Sequence, residues 1–361
     1  MRIAIFGLSI TSSWGNGHAT TYRALVRALA ARGHDVVFFE RDAPWYADNR
    51  DLPHPPYCRT VLYHSIAALG DVAAEALRDA DLAMVGSYVP EGTAVGDLVL
   101  RQSRGLTAFY DIDTPVTLAR LQAGTVDYLA ARQIPRYDLY LSFTGGPTLE
   151  MLQATYGSPM ARPLYCSVDP ELYYPADAAP EWDLGYLGTY SDDRQPVLAR
   201  LMLRAAERWP DGRFVVAGPQ YPATITWPAN VARVTHLAPV DHRRFYNEVR
   251  FTMNVTRADM VRAGYSPSVR LFEAAACGTP IISDSWKGLD RLFTPGVEIL
   301  IAASARDTLA YLRELPEEDR RAIATRARGR VLQAHTAAHR ATELEGYVQE
   351  ARHRGVERAA S

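Results

Sequence analysis

The sequence alternates short apolar runs with longer segments of helical periodicity, and it does so in two successive cycles. The strand-like runs of the first cycle lie at residues 3–6, 35–40, 82–86, 106–110 and 139–142, and its clearest helical patterns at 19–31 and 73–79. Parallel strands need a crossover connection, usually a helix, so this alternation is typical of a parallel sheet with helices on both faces. We therefore expect an α/β fold with a doubly wound sheet.

The second cycle follows a proline-containing stretch, YCSVDPELYYPADAAPEWD at residues 165–183, which has no apolar periodicity. Such a stretch suits a connection between domains. The strands of this cycle are predicted at 184–187, 213–217, 231–237, 251–255 and 281–282, and its helices at 197–209 and 241–249. A charged helical segment is expected from about residue 317 to the C-terminus. The chain thus reads as two successive α/β domains.

Length and composition agree with two domains of ordinary size. The chain has 361 residues, of which 48% are hydrophobic, so each half can form its own core. The formal charge of −2 gives no electrostatic reason to expect binding to nucleic acid or to an anionic membrane. Three scattered cysteines, no cleavable leader pattern and no apolar run long enough for a transmembrane segment favour a cytoplasmic protein.

The stretch SPSVRLFEAAACGTPIISD at 266–284 predicts a helix followed by a buried strand. Ser266 suits the N-cap and Pro267 the first helical position, while Gly278 suits the end of the helix. Ser266, Arg270 and Glu273 then share one helix face. Two interpretations remain open: an exposed Arg270–Glu273 ion pair, or a site with phosphate at Ser266, Ser268 and the helix-start amides and ribose at Glu273.

Loops after predicted strands are the other candidate binding elements, because open parallel sheets bind ligands at the carboxyl ends of their strands. In the first half, SITSSWGNGHATT at 9–21 contains Gly15, Asn16, Gly17 and His18. The glycines let backbone amides approach a phosphate or a sugar, and His18 is a candidate general base. A flexible turn with a bystander histidine is the alternative.

Further candidates follow strands of both halves. The loop 186–196 contains Gly188, Thr189, Tyr190 and Arg194, and the runs 214–222 and 234–240 contain Gly218 and Leu237. Arg194 is expected to bind a diphosphate, and the two runs can hold a nucleobase through backbone groups. Asp111 and Asp113 follow the strand at 106–110 and are candidates for a divalent cation or the acceptor, with a capped turn before Pro115 as the favoured alternative.

Taken together, these stretches resemble the GT-B glycosyltransferases. The similarity runs through the segments LYCSVDPELYYP, LGYLGTYSDDRQP, FVVAGP, VTHLAPVDHRRFYNEV and SPSVRLFEAAACGTPIISD, in that order. The chain is similar to the glycosyl transferases group 1 superfamily and, within that superfamily, to the CgeB-like branch of spore maturation proteins. The resemblance implies two Rossmann-like domains that face each other across a cleft.

The resemblance also implies domain boundaries and a reaction. An acceptor-side domain at 1–166, a hinge at 167–180 and a donor domain at 181–334 are expected, with a final helix at about 335–361 packing on the first domain. The implied reaction is transfer of a sugar from a nucleotide diphosphate sugar (UDP-, GDP- or dTDP-linked) to a hydroxyl of a glycan, protein or secondary metabolite. Retention of configuration, no metal and no further cofactor are expected, in a monomer or homodimer.

The resemblance assigns the donor site to residues of both halves. The donor-binding residues it implies are Gly15, Asn16, Gly17, Gly188, Thr189, Tyr190, Arg194, Gly218, Leu237, Asn254, Arg257, Ser266, Pro267, Ser268, Val269, Arg270 and Glu273. His18 and Asp111 are the candidate catalytic residues. The chain departs from the family at Tyr265, where a glutamate that contacts the donor sugar is usual, and Asn254, Thr256 and Arg257 are candidates to compensate. A nucleotide-sugar epimerase or hydrolase and a non-catalytic nucleotide-sugar-binding protein are the alternatives.

Overall fold

The computed structural model describes residues 1–14 and 17–360, with only the backbone for 357–360. The described chain forms two compact units. Unit 1 is Met1–Cys166 together with the segment from Ala337 onward, and unit 2 is Ser167–Thr336.

Unit 1 is built on a parallel sheet in which seven strands are described. These strands are β1 (Arg2–Gly7), β2 (Asp35–Arg41), β3 (Arg59–Tyr63), β4 (Leu82–Gly86), β5 (Leu106–Asp111), β6 (Leu139–Ser142) and β7 (Ala161–Pro163). Their spatial order is β3-β2-β1-β4-β5-β6-β7, and every adjacent pair is parallel. Strands such as β4, buried along their whole length, are typical of sheets covered on both faces.

Six helices connect the strands in the described part of unit 1. They are α1 (His18–Ala31), α2 (Pro44–Ala47), α3 (Ile66–Asp79), α4 (Gly92–Gln102), α5 (Thr114–Ala123) and α6 (Pro147–Ala154), with a 3₁₀ segment at Ala131–Arg136. The buried side chains of α3 and α4 pack with the apolar side chains of the sheet in one core that includes Phe6, Phe39, Phe109 and Tyr140.

Unit 2 repeats the arrangement with a sheet of six described strands. These are β8 (Trp182–Leu187), β9 (Phe214–Ala217), β10 (Val231–Val234), β11 (Val249–Asn254), β12 (Ile281–Ser283) and β13 (Leu300–Ile301). Their order is β10-β9-β8-β11-β12-β13, again with parallel pairs throughout. If the strands of each unit are numbered from 1 in chain order, the spatial order of both sheets begins 3-2-1-4-5-6. This is the Rossmann order.

The helices of unit 2 include one continuous helix that contains a π turn. This helix consists of α7 (Gln195–Leu198), the π segment Ala199–Leu203 and α8 (Arg204–Arg208). The others are α9 (Pro239–Glu248), α10 (Ala258–Ala263), α11 (Val269–Ala276), α12 (Ala305–Arg313) and α13 (Glu317–Ala334), with a 3₁₀ turn at Leu289–Arg291. The core of this unit includes Leu184, Tyr186, Phe251 and Met253.

The last helix, α14 (Ala337–Ala360), belongs to unit 1 and packs on α1. Its Glu345 accepts from Arg32 at 2.6 Å and lies 2.7 Å from the His34 ring. Two residues further along α14, Tyr347 donates to the carbonyl oxygen of Pro163 at 3.0 Å. Polar contacts thus attach α14 to both the β1–β2 region and the end of β7.

The predicted α/β class with two doubly wound parallel sheets is confirmed. Strand order reverses between β1 and β4 in unit 1 and between β8 and β11 in unit 2. Such switch points open a crevice outside the carboxyl ends of the strands. Each unit therefore has one such edge, and each edge carries candidate residues.

The prediction that Ser266 is the N-cap of the helix of SPSVRLFEAAACG and Pro267 its first residue is wrong, because α11 begins at Val269 with Ser268 as its N-cap. Tyr265 has φ +50°, and its amide donates to the Lys287 carbonyl at 2.6 Å. These contacts hold the chain outside the helix until Ser268, whose hydroxyl donates to Asn254. Tertiary contacts thus override a favourable N-cap signal at Ser266.

Part of the stretch predicted as a hinge is tied into unit 2. Val168 donates its amide to the His335 carbonyl at 3.2 Å and forms a parallel bridge with Thr336. Tyr173 is buried, with a relative exposure of 4%. These two residues therefore form part of the packed unit.

Candidate functional site

The candidate site of unit 2 lies at the carboxyl edge of its sheet, where the strand order reverses. β8 ends at Leu187 and β11 ends at Asn254, and these strands are neighbours in the sheet. Helix α11 begins at the same edge, since Ser268 at its N-cap donates to the Asn254 side chain at 2.9 Å. The edge thus combines two strand ends with the positive end of a helix dipole.

Arg270, in the first turn of α11, is a buried cation at this edge, with a relative exposure of 7%. Its Nε donates to the Leu187 carbonyl oxygen at 2.7 Å, and one terminal amino group donates to Asn254 Oδ1 at 2.9 Å. The guanidinium also lies over the Tyr186 ring, 4.9 Å from its centre. A positive charge is therefore fixed beside the ends of two central strands, a position suited to a diphosphate.

Asn254 connects the elements that meet around Arg270. Its Oδ1 accepts from both Ser268 and Arg270, while its Nδ2 donates to Ser283 Oγ at 2.9 Å. The side-chain amide of Asn254 thus joins β11, β12 and α11, and both its oxygen and its nitrogen are hydrogen-bonded. Asn254 and Arg270 were both predicted as donor-binding residues, and the structure brings them into direct contact.

Asp284 adds a buried carboxylate to the same region. It accepts from the Thr256 amide at 3.0 Å and from the Thr256 hydroxyl at 2.9 Å. Burial raises the pKa of Asp284, and the positive charge of Arg270 partly opposes that rise. The sequence interpretation missed Asp284, although an aspartate directly after the buried strand 281–283 was a usable signal.

Two glycines allow the backbone to pass close to Arg270. A Cβ atom on Gly188 would lie 2.8 Å from an Arg270 terminal nitrogen and 2.8 Å from the Tyr186 hydroxyl. Gly218 has φ +143°, and a Cβ there would lie 2.1 Å from the Gly188 carbonyl oxygen. Both positions require glycine for space, and Gly218 also requires it for its backbone conformation.

Glu273, one turn after Arg270, is also buried, with a relative exposure of 4%. Its Oε2 accepts from the Tyr246 hydroxyl at 3.1 Å, and the Tyr173 hydroxyl is a second partner. The exposed Arg270–Glu273 ion pair considered from the sequence is not formed between these described side chains. A carboxylate has about four acceptor positions, so Glu273 keeps capacity for further donors such as ribose hydroxyls.

The loop after β8 carries the predicted Thr189, Tyr190 and Arg194. A terminal nitrogen of Arg194 donates to the Thr189 carbonyl at 2.6 Å, whereas its buried Nε has no hydrogen-bond partner among the described atoms. The Tyr190 hydroxyl donates to Asp192 at 2.6 Å. An unpartnered donor on Arg194 is a group that an anionic ligand can satisfy.

An aromatic cluster beside this loop was not predicted from the sequence. The Arg233 guanidinium lies 4.1 Å from the centre of the Tyr221 ring and 4.3 Å from that of Trp227. Tyr221 donates its hydroxyl to the Gly188 carbonyl at 3.1 Å, and its ring contacts that of Tyr190. The aromatic residues of QYPATITW were the available signal, but the pairing with Arg233 depends on the register of β9 and β10.

Other predicted donor residues lie in surrounding loops. The Leu237 carbonyl accepts from the His242 ring at 3.3 Å, and Arg257, at the N-cap of α10, lies 3.9 Å from Asp193. Ser266 and Pro267 are buried before the start of α11, and Val269 is its first residue.

In unit 1, Gly15 and Asn16 lie outside the described residues, and Gly17 is the N-cap of α1. His18 is the first residue of that helix, and its ring meets the Tyr88 ring edge-on at 5.1 Å between centres. Its buried Nδ1 has no hydrogen-bond partner among the described atoms. Burial lowers the pKa of His18 from 6.5 to about 3, so the imidazole is neutral near pH 7.

Tyr88 follows β4 and has a left-handed backbone, with φ +64°. Its hydroxyl donates to Asp113 Oδ2 at 3.0 Å. For a tyrosine this backbone conformation costs on the order of 1 kcal/mol or more and persists only where neighbours fix it. Tyr88 thus links His18 to the loop after β5, a link that the sequence gave no reason to expect.

Asp111, the other candidate catalytic residue, is fully buried at the end of β5. It accepts from the Tyr140 hydroxyl at 2.6 Å, from the Thr117 hydroxyl at 2.8 Å and from the Asp113 amide at 3.2 Å. Burial raises the pKa of Asp111 to about 6, and these hydrogen bonds partly oppose that rise. In this arrangement Asp111 connects β5, β6 and α5 inside the unit.

The loop after β1 is held by a residue that sequence analysis did not select. Glu40, at the carboxyl end of β2, is fully buried. Its carboxylate accepts from the amides of Ile10 and Thr11 at 2.7 and 3.0 Å, and from the hydroxyls of Ser9 and Thr11 at 3.0 and 2.6 Å. The acidic residue that ends the apolar run DVVFFE is the sequence feature from which a buried role for Glu40 could have been predicted.

The described residues contain no group of three or more histidine, cysteine, aspartate or glutamate side chains arranged to hold a metal ion. Within the same part of the chain, no helix combines the length and the apolar character needed to cross a membrane.

Comparison with known structures identifies the fold as GT-B. Sucrose-phosphate synthase from Thermosynechococcus elongatus aligns with a TM-score of 0.71 at 16% identity, over 100% of both chains. HepE from Anabaena, in complex with UDP and glucose, aligns with a TM-score of 0.69 at 11% identity, over 97% of this chain and 100% of that one. An alpha-glucosyltransferase in complex with UDP aligns with a TM-score of 0.71 at 14% identity, over 97% and 100%.

Sequence comparison adds a match in the C-terminal part of the chain. A family model described as glycosyl transferase-like matches residues 194–346. Among curated proteins, none matches significantly. The matched segment begins at Arg194 and includes Asn254, Arg270 and Glu273, the residues around the switch point of unit 2.

Proposed function

We propose that this chain is a glycosyltransferase that moves a sugar from a nucleotide diphosphate sugar to an acceptor hydroxyl. The observation that carries the proposal is the buried Arg270, fixed by Leu187 and Asn254 at the switch point of a Rossmann-ordered sheet. The glycosyl transferase-like match over residues 194–346 supports it. So do the solved neighbours in complex with UDP or UDP-glucose.

The donor diphosphate is assigned to the start of α11 and the loop after β8. Arg270, Ser268 and the first backbone amides of α11 lie at one helix start, where an anion is stabilised by both hydrogen bonds and the helix dipole. Arg194 adds a second guanidinium with an unpartnered Nε. These groups can stabilise the negative charge that develops on the leaving diphosphate.

The nucleoside is assigned to Glu273 and to the backbone of neighbouring loops. Glu273 accepts from the ribose hydroxyls, and its orientation is fixed by the Tyr246 hydroxyl. Gly188 and Gly218 let the loops after β8 and β9 pass close to each other and to Arg270. The loop containing Leu237 is assigned the contacts to the base. UDP is the first nucleotide to test, because the solved neighbours contain it; GDP and dTDP are the alternatives.

Transfer with retention and without a metal is the mechanism that we propose. Arg270 and Arg194 provide positive charge for the diphosphate, the role that a divalent cation fills in other transferases. With a pKa lowered to about 3, His18 is a weak base and suits hydrogen bonding to a sugar hydroxyl better than deprotonation of an acceptor. A direct inverting attack needs a stronger base than this.

The remaining proposals concern the biological setting. We assign the chain to a CgeB-like branch of these transferases, acting in the cytoplasm as a monomer or homodimer on a glycan, protein or secondary-metabolite acceptor. Unit 1 with α14 is the proposed acceptor side, and unit 2 the donor side.

The reaction is tested by following UDP-sugars in a one-dimensional proton NMR assay with a panel of acceptor alcohols. We expect release of UDP and a product whose anomeric configuration equals that of the donor, with the same rate in EDTA as in Mg²⁺. A product of opposite configuration would overturn retention, and a rate that depends on Mg²⁺ would overturn metal independence. Release of free sugar alone, with every acceptor, would indicate a hydrolase.

A further inference from the structure

Unit 2 contains a groove of about 740 Å³ on the side of its sheet where β11 begins. It lies between α13 and residues 175–180, and its floor includes Tyr246, Val249 and Thr279. The proposed donor site lies at the opposite, carboxyl edge of the same sheet. The groove is therefore a concave surface of this unit away from the Arg270–Asn254 edge.

The lining of the groove is strongly cationic. Arg250, Arg320, Arg321 and Arg328 line it together with one carboxylate, that of Glu317, which leaves a formal charge of +3 from four cations and one anion. A concave surface lined by one sign of charge concentrates ligands of the opposite sign.

Glu317 neutralises only part of this charge. It accepts from two Arg320 nitrogens at 2.8 and 2.7 Å, and it lies 3.8 Å from Arg250. Arg320 also donates to the Arg250 carbonyl at 3.1 Å, and Arg250 donates to Asp183 at 3.3 Å. The guanidinium groups of Arg250 and Arg320 are therefore engaged in hydrogen bonds inside the fold.

Arg321 and Arg328 differ from that pair, because each uses only its Nε. The Arg321 Nε donates to Glu317 at 3.0 Å, and the Arg328 Nε donates to the Ala276 carbonyl at the end of α11 at 3.1 Å. Their terminal amino groups have no hydrogen-bond partner among the described residues. The contact with Ala276 orients Arg328 but leaves the part of the guanidinium that binds oxyanions available.

We propose that this groove is a binding site for a small soluble anion of the phosphate class, such as a phosphorylated metabolite, held by Arg321 and Arg328. These residues lie two helical turns apart on α13, about 10 Å along its axis, so their long side chains can close on a ligand from both ends. Tyr246, which lines the groove, also donates to Glu273, but Arg321 and Arg328 are not among the residues assigned to the donor. The proposal does not depend on the proposed transfer reaction.

The probe is pyrophosphate, titrated calorimetrically with saturating UDP present to occupy the proposed donor site. It is titrated into the full chain and into two double variants, each of which removes two positive charges. In Arg321→Gln/Arg328→Gln we expect binding at the groove to weaken at least tenfold. In the control Arg200→Gln/Arg204→Gln it should change less than twofold, since both arginines are exposed on the continuous helix after β8. The charge-preserving Arg321→Lys/Arg328→Lys should recover part of the affinity.

Two further experiments distinguish this site from the proposed donor site and from a site for lipid headgroups. Arg194→Gln, in the proposed donor loop, should leave groove binding intact even if it abolishes nucleotide binding. Vesicles of phosphatidylglycerol should not cosediment with the chain; arginine-dependent vesicle binding without pyrophosphate binding would assign the groove to a lipid headgroup and overturn the soluble ligand. Pyrophosphate affinity that is absent, or unchanged in Arg321→Gln/Arg328→Gln, would overturn the site.

Discussion

At the residue scale, buried polar groups distinguish the two candidate edges. In unit 2, Arg270 is held by a carbonyl and an amide oxygen, so its charge is retained inside the fold and remains positioned for an anion. In unit 1, burial gives His18 a lowered pKa and Asp111 a raised one. One edge thus holds a fixed cation, whereas the other holds groups that burial drives toward neutrality.

Replacing Arg270 by glutamine should lower both the affinity for the nucleotide and the stability of the fold. The variant removes the Arg270 donor from the buried Leu187 carbonyl and leaves Asn254 Oδ1 with Ser268 as its donor, so we expect a loss of about 2–3 kcal/mol in the free energy of unfolding. Nucleotide binding should weaken on the order of 100-fold, measured by calorimetry. Arg270→Lys keeps the charge and should retain intermediate affinity; full affinity in Arg270→Gln would exclude a role in donor binding.

The lowered pKa of His18 predicts a specific dependence of stability on pH. Between pH 6.5 and about 3 the unfolded chain binds a proton at His18 that the folded chain does not, so stability is greatest above this range and falls as the pH drops through it. From pH 7 to pH 5 this amounts to about 2 kcal/mol.

Urea unfolding of the wild-type chain and of His18→Gln at pH 7 and pH 5 measures this contribution. The wild type should lose about 2 kcal/mol more than the variant. Asp111 opposes the trend in both proteins and cancels in the comparison, because its raised pKa favours folding at lower pH. Equal losses would show that His18 titrates normally in the folded chain.

At the element scale, sequence periodicity identified most strands and several helices, but it did not identify how their ends are held. The strand ending at Asn254 and the start of helix α11 were predicted near their positions, yet α11 begins two residues later than predicted, at Val269 instead of Pro267. The cause is the Tyr265 amide on the Lys287 carbonyl, a contact between residues 22 positions apart. Local propensity contains no information about such a contact.

Gly188→Ala tests whether the loop after β8 needs its close approach to Arg270. The added Cβ would lie 2.8 Å from Arg270 and from the Tyr186 hydroxyl, so one of them must move. We expect a loss of about 1–3 kcal/mol in stability and at least tenfold weaker nucleotide binding.

Gly329→Ala is the matched control, because a Cβ at Gly329 in α13 meets no atom within 4 Å. Replacing a helix-interior glycine in this way should raise the melting temperature, by a stability gain of about 1 kcal/mol. Nucleotide affinity should not change. Identical behaviour of the two variants would contradict the account of the Gly188 loop.

At the scale of the whole molecule, the alternation of strands and helices was enough to predict two doubly wound sheets. It could not predict their lateral order, which places β11 beside β8 and so brings Asn254 close to Leu187 and Arg270. Glu40 and the Tyr221–Arg233 pair were missed for the same reason, because their partners come from different strands or loops. Single-residue candidates at strand ends were accessible from the sequence, whereas their contacts required the structure.

The measurement that tests the central claim most directly is a calorimetric and thermal-shift panel of UDP, GDP, ADP, dTDP and CDP, with Mg²⁺ and with EDTA. It compares the wild-type chain with Glu273→Gln, which keeps the side-chain size but removes the charge. We expect one nucleotide to stabilise the wild type by about 2.7 kcal/mol at 100 times its Kd, equally in EDTA, with the effect lost in the variant. The absence of any shift, or a shift that Glu273→Gln leaves unchanged, would contradict a nucleotide-sugar site at this edge of unit 2.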